Sequence, residues 1–270
     1  MRQLDIVYFV KDTKQNDELI YSVRSVVKNF PHQKIWFAGG CPDGIRPDGR
    51  LRVKQDNGKK YANVRRLTEA VVNCDDITED FWLFNDDFFI MSRVADVQPV
   101  VRGSLWRTIQ YITNKNKSQS EYVKMLKRTA QALKELHRDR LNYCAHLPML
   151  INRTKAKEVL RIFNGDISFR SAYGNYWEIG GVIQPDVKIT DAEQLPDPDI
   201  HNMYISTNDK SFRNGIVGEI IRKAFTEPSK YEATPSADWT KAELIEYATA
   251  NNINVNTRGT KAQILERINA

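Results

Sequence analysis

Dense β-branched and aromatic runs alternate along the first third of the chain with stretches whose apolar residues recur every three or four positions. Ile6-Val7-Tyr8-Phe9-Val10 reads as a buried first strand. Asn16-Asp17-Glu18 then opens a helix carrying Leu19, Val23, Val26 and Val27 at helical spacing, with Asn16 as its cap and Pro31 as its stop. Lys34-Ile35-Trp36-Phe37-Ala38 is a second strand, closed by Gly39-Gly40 and the turn residues Pro42-Asp43-Gly44. Tyr61 to Val72 reads as a helix and Phe81 to Phe84 as a third buried strand. Strand, helix, strand, helix, strand predicts a mostly parallel α/β sheet with flanking helices, whose ligands sit at the carboxyl ends of the strands.

One such end carries the chemistry. Phe81-Trp82-Leu83-Phe84 stops at Asn85-Asp86-Asp87 before turning apolar again at Phe88-Phe89-Ile90. Carboxylates beside a buried strand are costly unless paired, hydrogen-bonded or holding a cation. Paired aspartates there suit a divalent metal held against a diphosphate, since hard oxygen ligands suit Mg2+ or Mn2+. A solvated turn between two strands is the plain alternative. Lys11-Asp12 follows the first strand in the same way. The loop Asp56 to Arg66, with Gly58, Asn63 and the cations Lys59, Lys60, Arg65 and Arg66, enters a helix and reads either as a diphosphate cradle or as a basic, solvated helix start.

Composition narrows this modestly. The 270 residues can bury a substantial core, and the net charge of +6 permits a polyanionic partner without requiring one. Cys41, Cys74 and Cys144 have no metal-like spacing, and an odd, sparse set fits reduced thiols in a cytoplasmic setting. No apolar run approaches the length of a spanning helix, and the N-terminus enters a strand without a signal-peptide pattern, so no membrane association is expected.

The ordered motifs resemble the Stealth proteins, sugar-phosphate transferases of capsule synthesis. Asn16-Asp17-Glu18-Leu19 with Tyr21-Ser22-Val23-Arg24-Ser25-Val26 resembles their opening N-D-E-L-x-Y-S-L-R-S-I signature. Phe84-Asn85-Asp86-Asp87-Phe88-Phe89, Ala145-His146-Leu147-Pro148 and Phe169-Arg170-Ser171 resemble the following blocks. Ser206-Thr207-Asn208-Asp209 and Phe225-Thr226-Glu227-Pro228-Ser229-Lys230-Tyr231-Glu232 resemble the closing ones, so the likeness spans roughly residues 5 to 232. The usual V-D-G-S-D-like opening is here Lys11-Asp12-Thr13-Lys14. The resemblance implies a GT-A-like domain over 1–232, using a nucleotide sugar (a UDP-sugar first of all) with Mg2+ or Mn2+. It implies His146, Arg170 and Asp86 as catalytic groups and Asp87 and Asp209 as metal ligands. Asp12, Arg24, Asn63, Arg66 and Asn85 are the expected donor contacts.

Two features point toward nucleic acid. Residues 102–161 hold 14 Lys plus Arg against 4 Asp plus Glu. Within them Ser120 to Arg140 reads as a helix with Tyr122, Val123, Leu126, Ala130, Leu133 and Leu136 on its apolar face and Lys124, Lys127, Arg128, Lys134 and Arg138 largely off it. That basic face could track a phosphate backbone or be an ordinary solvated face. Tyr173, Tyr176 and Trp177 are stacking platforms or core. After a linker from Thr226 to Ala237, residues 233–270 read as a small helical module: a helix with a Thr240–Glu243 capping box, a turn at Asn256 to Thr260, and a helix from Lys261 to Ile268. This pattern resembles the helix-extended-helix modules of the SAP and Rho N-terminal type, frequent in phage proteins and often nucleic-acid binding. Its own charge is balanced, four of each sign.

The combined expectation is metal-dependent glycosyl transfer to a hydroxyl acceptor, a hydroxymethylated base of phage DNA being one such acceptor. The alternatives are sugar-1-phosphate transfer to a saccharide and a non-catalytic nucleic-acid-binding protein on a transferase scaffold.

Overall fold

The computed structural model describes residues 2–116, 120–232, 235–250 and 253–269. The expected boundary at 232/233 and part of the expected linker lie outside them. In chain order the elements are β1 (Asp5–Val10), α1 (Asp17–Asn29), β2 (Ile35–Gly39), β3 (Gly49–Leu51), α2 (Lys60–Val72), β4 (Asp80–Asn85), β5 (Phe88–Ile90) and β6 (Val100–Val101). They continue as α3 (Leu105–Asn116), α4 (Glu121–Glu135), β7 (Met149–Asn152), α5 (Arg153–Ile162), α6 (Phe169–Tyr176), β8 (Val182–Ile183) and α7 (Pro198–His201). The last are β9 (Tyr204–Ser206), α8 (Asp209–Asn214), α9 (Ile216–Ala224), α10 (Lys241–Ala250) and α11 (Lys261–Asn269).

The central sheet has five strands in the order β3-β2-β1-β4-β7. β1 to β4 pair in parallel and β7 closes the far edge antiparallel, giving the mostly parallel α/β sheet that the sequence predicts. Both faces are covered, which is why these strands are continuous apolar runs. Ile6, Tyr8, Trp82 and Phe84 pack with Leu19, Val23 and Val26 of α1 on one face. Val7, Phe81 and Leu83 pack with α2, α4, α5 and α6 on the other. Each of the three α1 side chains is fully buried, worth roughly 1.5–3 kcal/mol. A second, two-stranded sheet pairs β5 with β9, and a third pairs β6 with β8.

Several expectations shift. β3 is unforeseen, because Gly-Arg-Leu is short and only half-buried. α4 starts at the Ser120 cap as expected but ends at Glu135, since His137 takes a left-handed φ of 53°. Leu136 therefore lies past the helix and is 38% exposed, while Met125 and Thr129 join the buried face. Tyr173 is buried core with its hydroxyl accepting from Asn152 N, and Tyr176 and Trp177 are tied to Glu158 and to the Lys155 carbonyl. On α4, Lys124 pairs with Glu121, and Arg128 lies 4.0 Å from Asp166; just past the helix, Arg138 pairs with Glu178. The middle segment's positive surplus is thus partly neutralised.

Beyond 232, α10 and α11 pack against each other, and both carry a capping box: Thr240 with Glu243, Thr260 with Gln263. Among the described residues no helix is long and apolar enough to cross a membrane.

Candidate active site between the first and fourth strands

The strand order 3-2-1-4 places a crevice outside the carboxyl ends of β1 and β4, where chain direction across the sheet reverses. The Asp86–Asp87 turn lies there. Asn16 fixes it: Oδ1 caps α1 by accepting from Leu19 N, while Nδ2 donates to Asp86 Oδ2 at 2.6 Å. A cleft of about 230 Å³ opens beside them, lined by Lys11, Asn16, Glu18, Asp86, Asp209 and Arg213 among others.

The acids here are strained electrostatically. Burial, then the neighbouring Asp87, pushes Asp86 up to about 6. Glu18 is raised further above its ordinary range by burial and by Asp87, Asp86 and Asp209, although Thr207 Oγ1 donates to it at 2.5 Å. Asp87 accepts from Lys188 Nζ through Oδ2 at 2.5 Å, and its Oδ1 is buried without a partner.

On the other side stands His146. Its φ of 51° is left-handed, a conformation held by its surroundings at some cost. Nδ1 meets Asp186 Oδ1 at 2.7 Å, and the ring stands edge-on to Phe88. Asp186 Oδ2 pairs with Arg102 at 2.7 Å. Burial would raise Asp186, but the His146 contact and Arg102 outweigh it and hold it below the usual carboxylate range. An ionised carboxylate only accepts, so Nδ1 is the donor and Nε2 is left as the basic nitrogen. Lys188 N also donates to Asp186 Oδ1, so residues 186–188 bridge the histidine to Asp87.

Arg170 lies under this arrangement, with its guanidinium over the Phe88 ring at 5.5 Å. It donates to the carbonyls of Leu147 and Leu83 and, at 3.4 Å, to Asn85 Oδ1. Burial lowers its pKa, yet it stays charged at neutral pH. Two of its bonds go to backbone carbonyls and one to the Asn85 side chain, so it braces the strand end and the His146 loop.

The structure therefore brings together Asp86, Asp87, Asn85, Asp209, His146 and Arg170. Asp12 is exposed in the loop after β1, whose neighbours Lys11 and Thr13 line the cleft. Arg24, an expected donor contact, is not among the residues that line the cleft. It pairs with Glu232 and donates to the Phe225 and Thr226 carbonyls, pinning the 225–232 segment to α1. Asn63 and Arg66 likewise serve their own loop, both bonding Asp56 at the start of α2. Glu18, Arg102, Asp186 and Lys188 were not singled out from sequence as site residues. The only signal for the last pair is the D-V-K alternation, which puts both side chains on one side of an extended stretch.

A divalent cation of the Mg2+ type needs several oxygen ligands. Among the described residues no three acidic, histidine or cysteine groups converge closely enough to hold one alone. Two adjacent aspartates, one with an orphaned buried oxygen, nevertheless fit Mg2+, which commonly takes one or two carboxylates and completes its shell with phosphate and water.

No protein-family model matches the chain, and no curated protein matches it. Among solved structures, an active-site mutant of LgtC is similar at 13% identity and a TM-score of 0.34, over 94% of this chain and 98% of that one. The apo-form glycosyltransferase GlyE of Streptococcus pneumoniae TIGR4 is similar at 9% identity and a TM-score of 0.32, over 98% of this chain and 62% of that one. Likeness at this level carries no argument about activity, so the function rests on the site.

Proposed function

We propose that the chain transfers a glycosyl group from a nucleotide sugar to an acceptor hydroxyl at the crevice between β1 and β4. The observation that carries this reading is the single connected site in which Lys188 and Asp186 link the Asp86–Asp87 pair to His146. Asp186 holds the imidazole through Nδ1, and Nε2 takes the acceptor proton as the acceptor oxygen bonds to the anomeric carbon. The bond from that carbon to the diphosphate oxygen breaks, and a nucleoside diphosphate leaves. Asp86 and Asp87 would hold Mg2+ or Mn2+, which would supply positive charge to the departing diphosphate, with Asp209 lining the same cleft. Lys188 adds a cation at the same place. Arg170 keeps Asn85 and the His146 loop in register.

Sugar-1-phosphate transfer is the second reading. It is favoured by the convergence of Asn16, Glu18, Asp86, Asp87, His146 and Arg170, which come from separate Stealth-like blocks. In that case the acceptor attacks the β-phosphorus and a nucleoside monophosphate leaves. Either reading takes a hydroxymethylated DNA base or a saccharide as acceptor.

The test is a panel of UDP-, GDP- and CDP-sugars with Mg2+ or Mn2+ and either acceptor, run on the wild type, Asp87→Ala and Asp186→Asn. We expect diphosphate release that is abolished in Asp87→Ala and slowed about 100-fold or more in Asp186→Asn, through loss of an oriented base. Monophosphate release would select the second reading. No release from any donor, together with no nucleotide binding, would overturn both.

A further inference from the structure

We infer that the outer face of α3 is a binding surface for an unpaired polynucleotide strand. The helix buries Leu105, Thr108 and Ile109, with Thr108 Oγ1 accepting from Asn142 Nδ2 at 2.9 Å, so its inner face is accounted for. Its outer face presents two rows at i, i+4 spacing: Trp106, Gln110 and Asn114 in one, Arg107, Tyr111 and Lys115 in the other, all exposed. Trp106 is 58% exposed and Tyr111 64% exposed, which is unusual for rings of this size. The helix contains no acidic residue. Lys115 Nζ lies 5.9 Å from the Tyr111 ring centre, and the exposed Arg140 adjoins the first turn through its carbonyl, which accepts from Leu105 N.

Each part has a counterpart in a single strand. Aromatic rings stack on bases, whose faces a duplex would hide. The cations match phosphates, and the amides can reach base edges or sugar hydroxyls. The rings are five residues apart, about 7.5 Å along the axis, so they would take separate bases. An acid-free face with this charge has no complement on an ordinary neutral protein patch. Because the surface lies outside the crevice, this inference stands apart from the transferase reading.

The experiment titrates the full chain into fluorescein-labelled oligothymidylate and oligouridylate of about 16 nucleotides, and into duplex DNA of equal length. We expect saturable binding that favours single strands, with quenching of tryptophan emission. The DNA and RNA arms distinguish the source. Trp106→Ala and Tyr111→Ala should each weaken binding about tenfold. Arg107→Gln with Lys115→Gln should reduce the slope of log affinity against log salt by about 1.4. Nucleotide-sugar turnover, measured on the same samples, should be unchanged in these variants. Three results would overturn the inference: duplex preferred over single strand, undiminished binding by both aromatic variants, or self-association of the wild type that Trp106→Ala abolishes. The last would make the face an interface between copies of this chain.

Discussion

Asp86 holds its proton to a higher pH than a solvated aspartate does, because it is enclosed and has Asp87 beside it. A carboxyl whose pKa is raised on folding favours the folded state while protonated. That advantage is complete below the unfolded value near 3.8 and is lost as pH climbs through about 6. Asp86→Asn should therefore raise stability by about 1–2 kcal/mol at pH 7 and change it little at about pH 4, after allowance for solvent screening. Thermal melts at the two pH values check this, and equal shifts at both would show that the charge is not the cause. The aspartate pair stands out in the sequence because aromatic runs frame it, and His146 only because Ala145-His146-Leu147-Pro148 resembles a family block. Their working partners do not stand out. Asp186 and Lys188 lie 40 and 101 residues from the groups they hold, and nothing local to Gln184-Pro185-Asp186-Val187-Lys188 announces those contacts.

Among the elements, β1, α1, β2, α2 and β4 were readable because their apolar spacing agrees with their burial, and Asn16 with Asp17 and Glu18 gives a clean helix start. β3 and β8 were not, since two- and three-residue pairings borrow their register from neighbours. The loop that carries Lys11 to the crevice depends on Gly40. A Cβ there would stand 2.3 Å from the Lys11 carbonyl oxygen and 2.8 Å from Asp12 Cα, both backbone atoms that cannot swing aside. Gly40→Ala should cost about 1–3 kcal/mol of stability and weaken nucleotide binding, because the displaced loop lines the cleft. Calorimetric titration with UDP and a thermal melt read the two effects. An unchanged melting temperature would show that the loop is free to move.

At the scale of the whole molecule, the 225–232 segment returns across the domain and fastens it. Arg24 grips Glu232, Tyr231 donates to Asp48, and the Tyr231 carbonyl accepts from Arg46 N. Arg46 then reaches the terminal helices, pairing with Glu243 at 2.7 Å and lying over the Trp239 ring at 4.3 Å. The Thr240 cap and Arg46 hold Glu243 well below its usual pKa, so this contact is present at neutral pH and fails only as pH falls through that lowered value. Arg46→Ala should speed amide exchange across 238–250 and leave the central sheet's protection unchanged. Equal exchange in both proteins would mean that the apolar packing of α10 and α11 alone holds them. The first of these helices is announced by its Thr240–Glu243 cap and the second by the turn at Asn256 to Thr260, but nothing in the sequence says where they sit, since a balanced charge pattern has no preferred partner.

α10 rests beside the outer edge of the central sheet, with Glu246 3.9 Å from Arg52. β3 ends one side of the central sheet, and Arg50 and Arg52 share a cleft with Trp239, Glu243 and Glu246. An outermost strand offers unpaired backbone groups to any other extended chain, which is how sheets come to aggregate or exchange strands. Three residues of strand, two arginines and α10 beside them leave little for a stranger to add to. Besides any partner it binds, α10 would serve as a guard that keeps neighbouring copies from joining sheet to sheet.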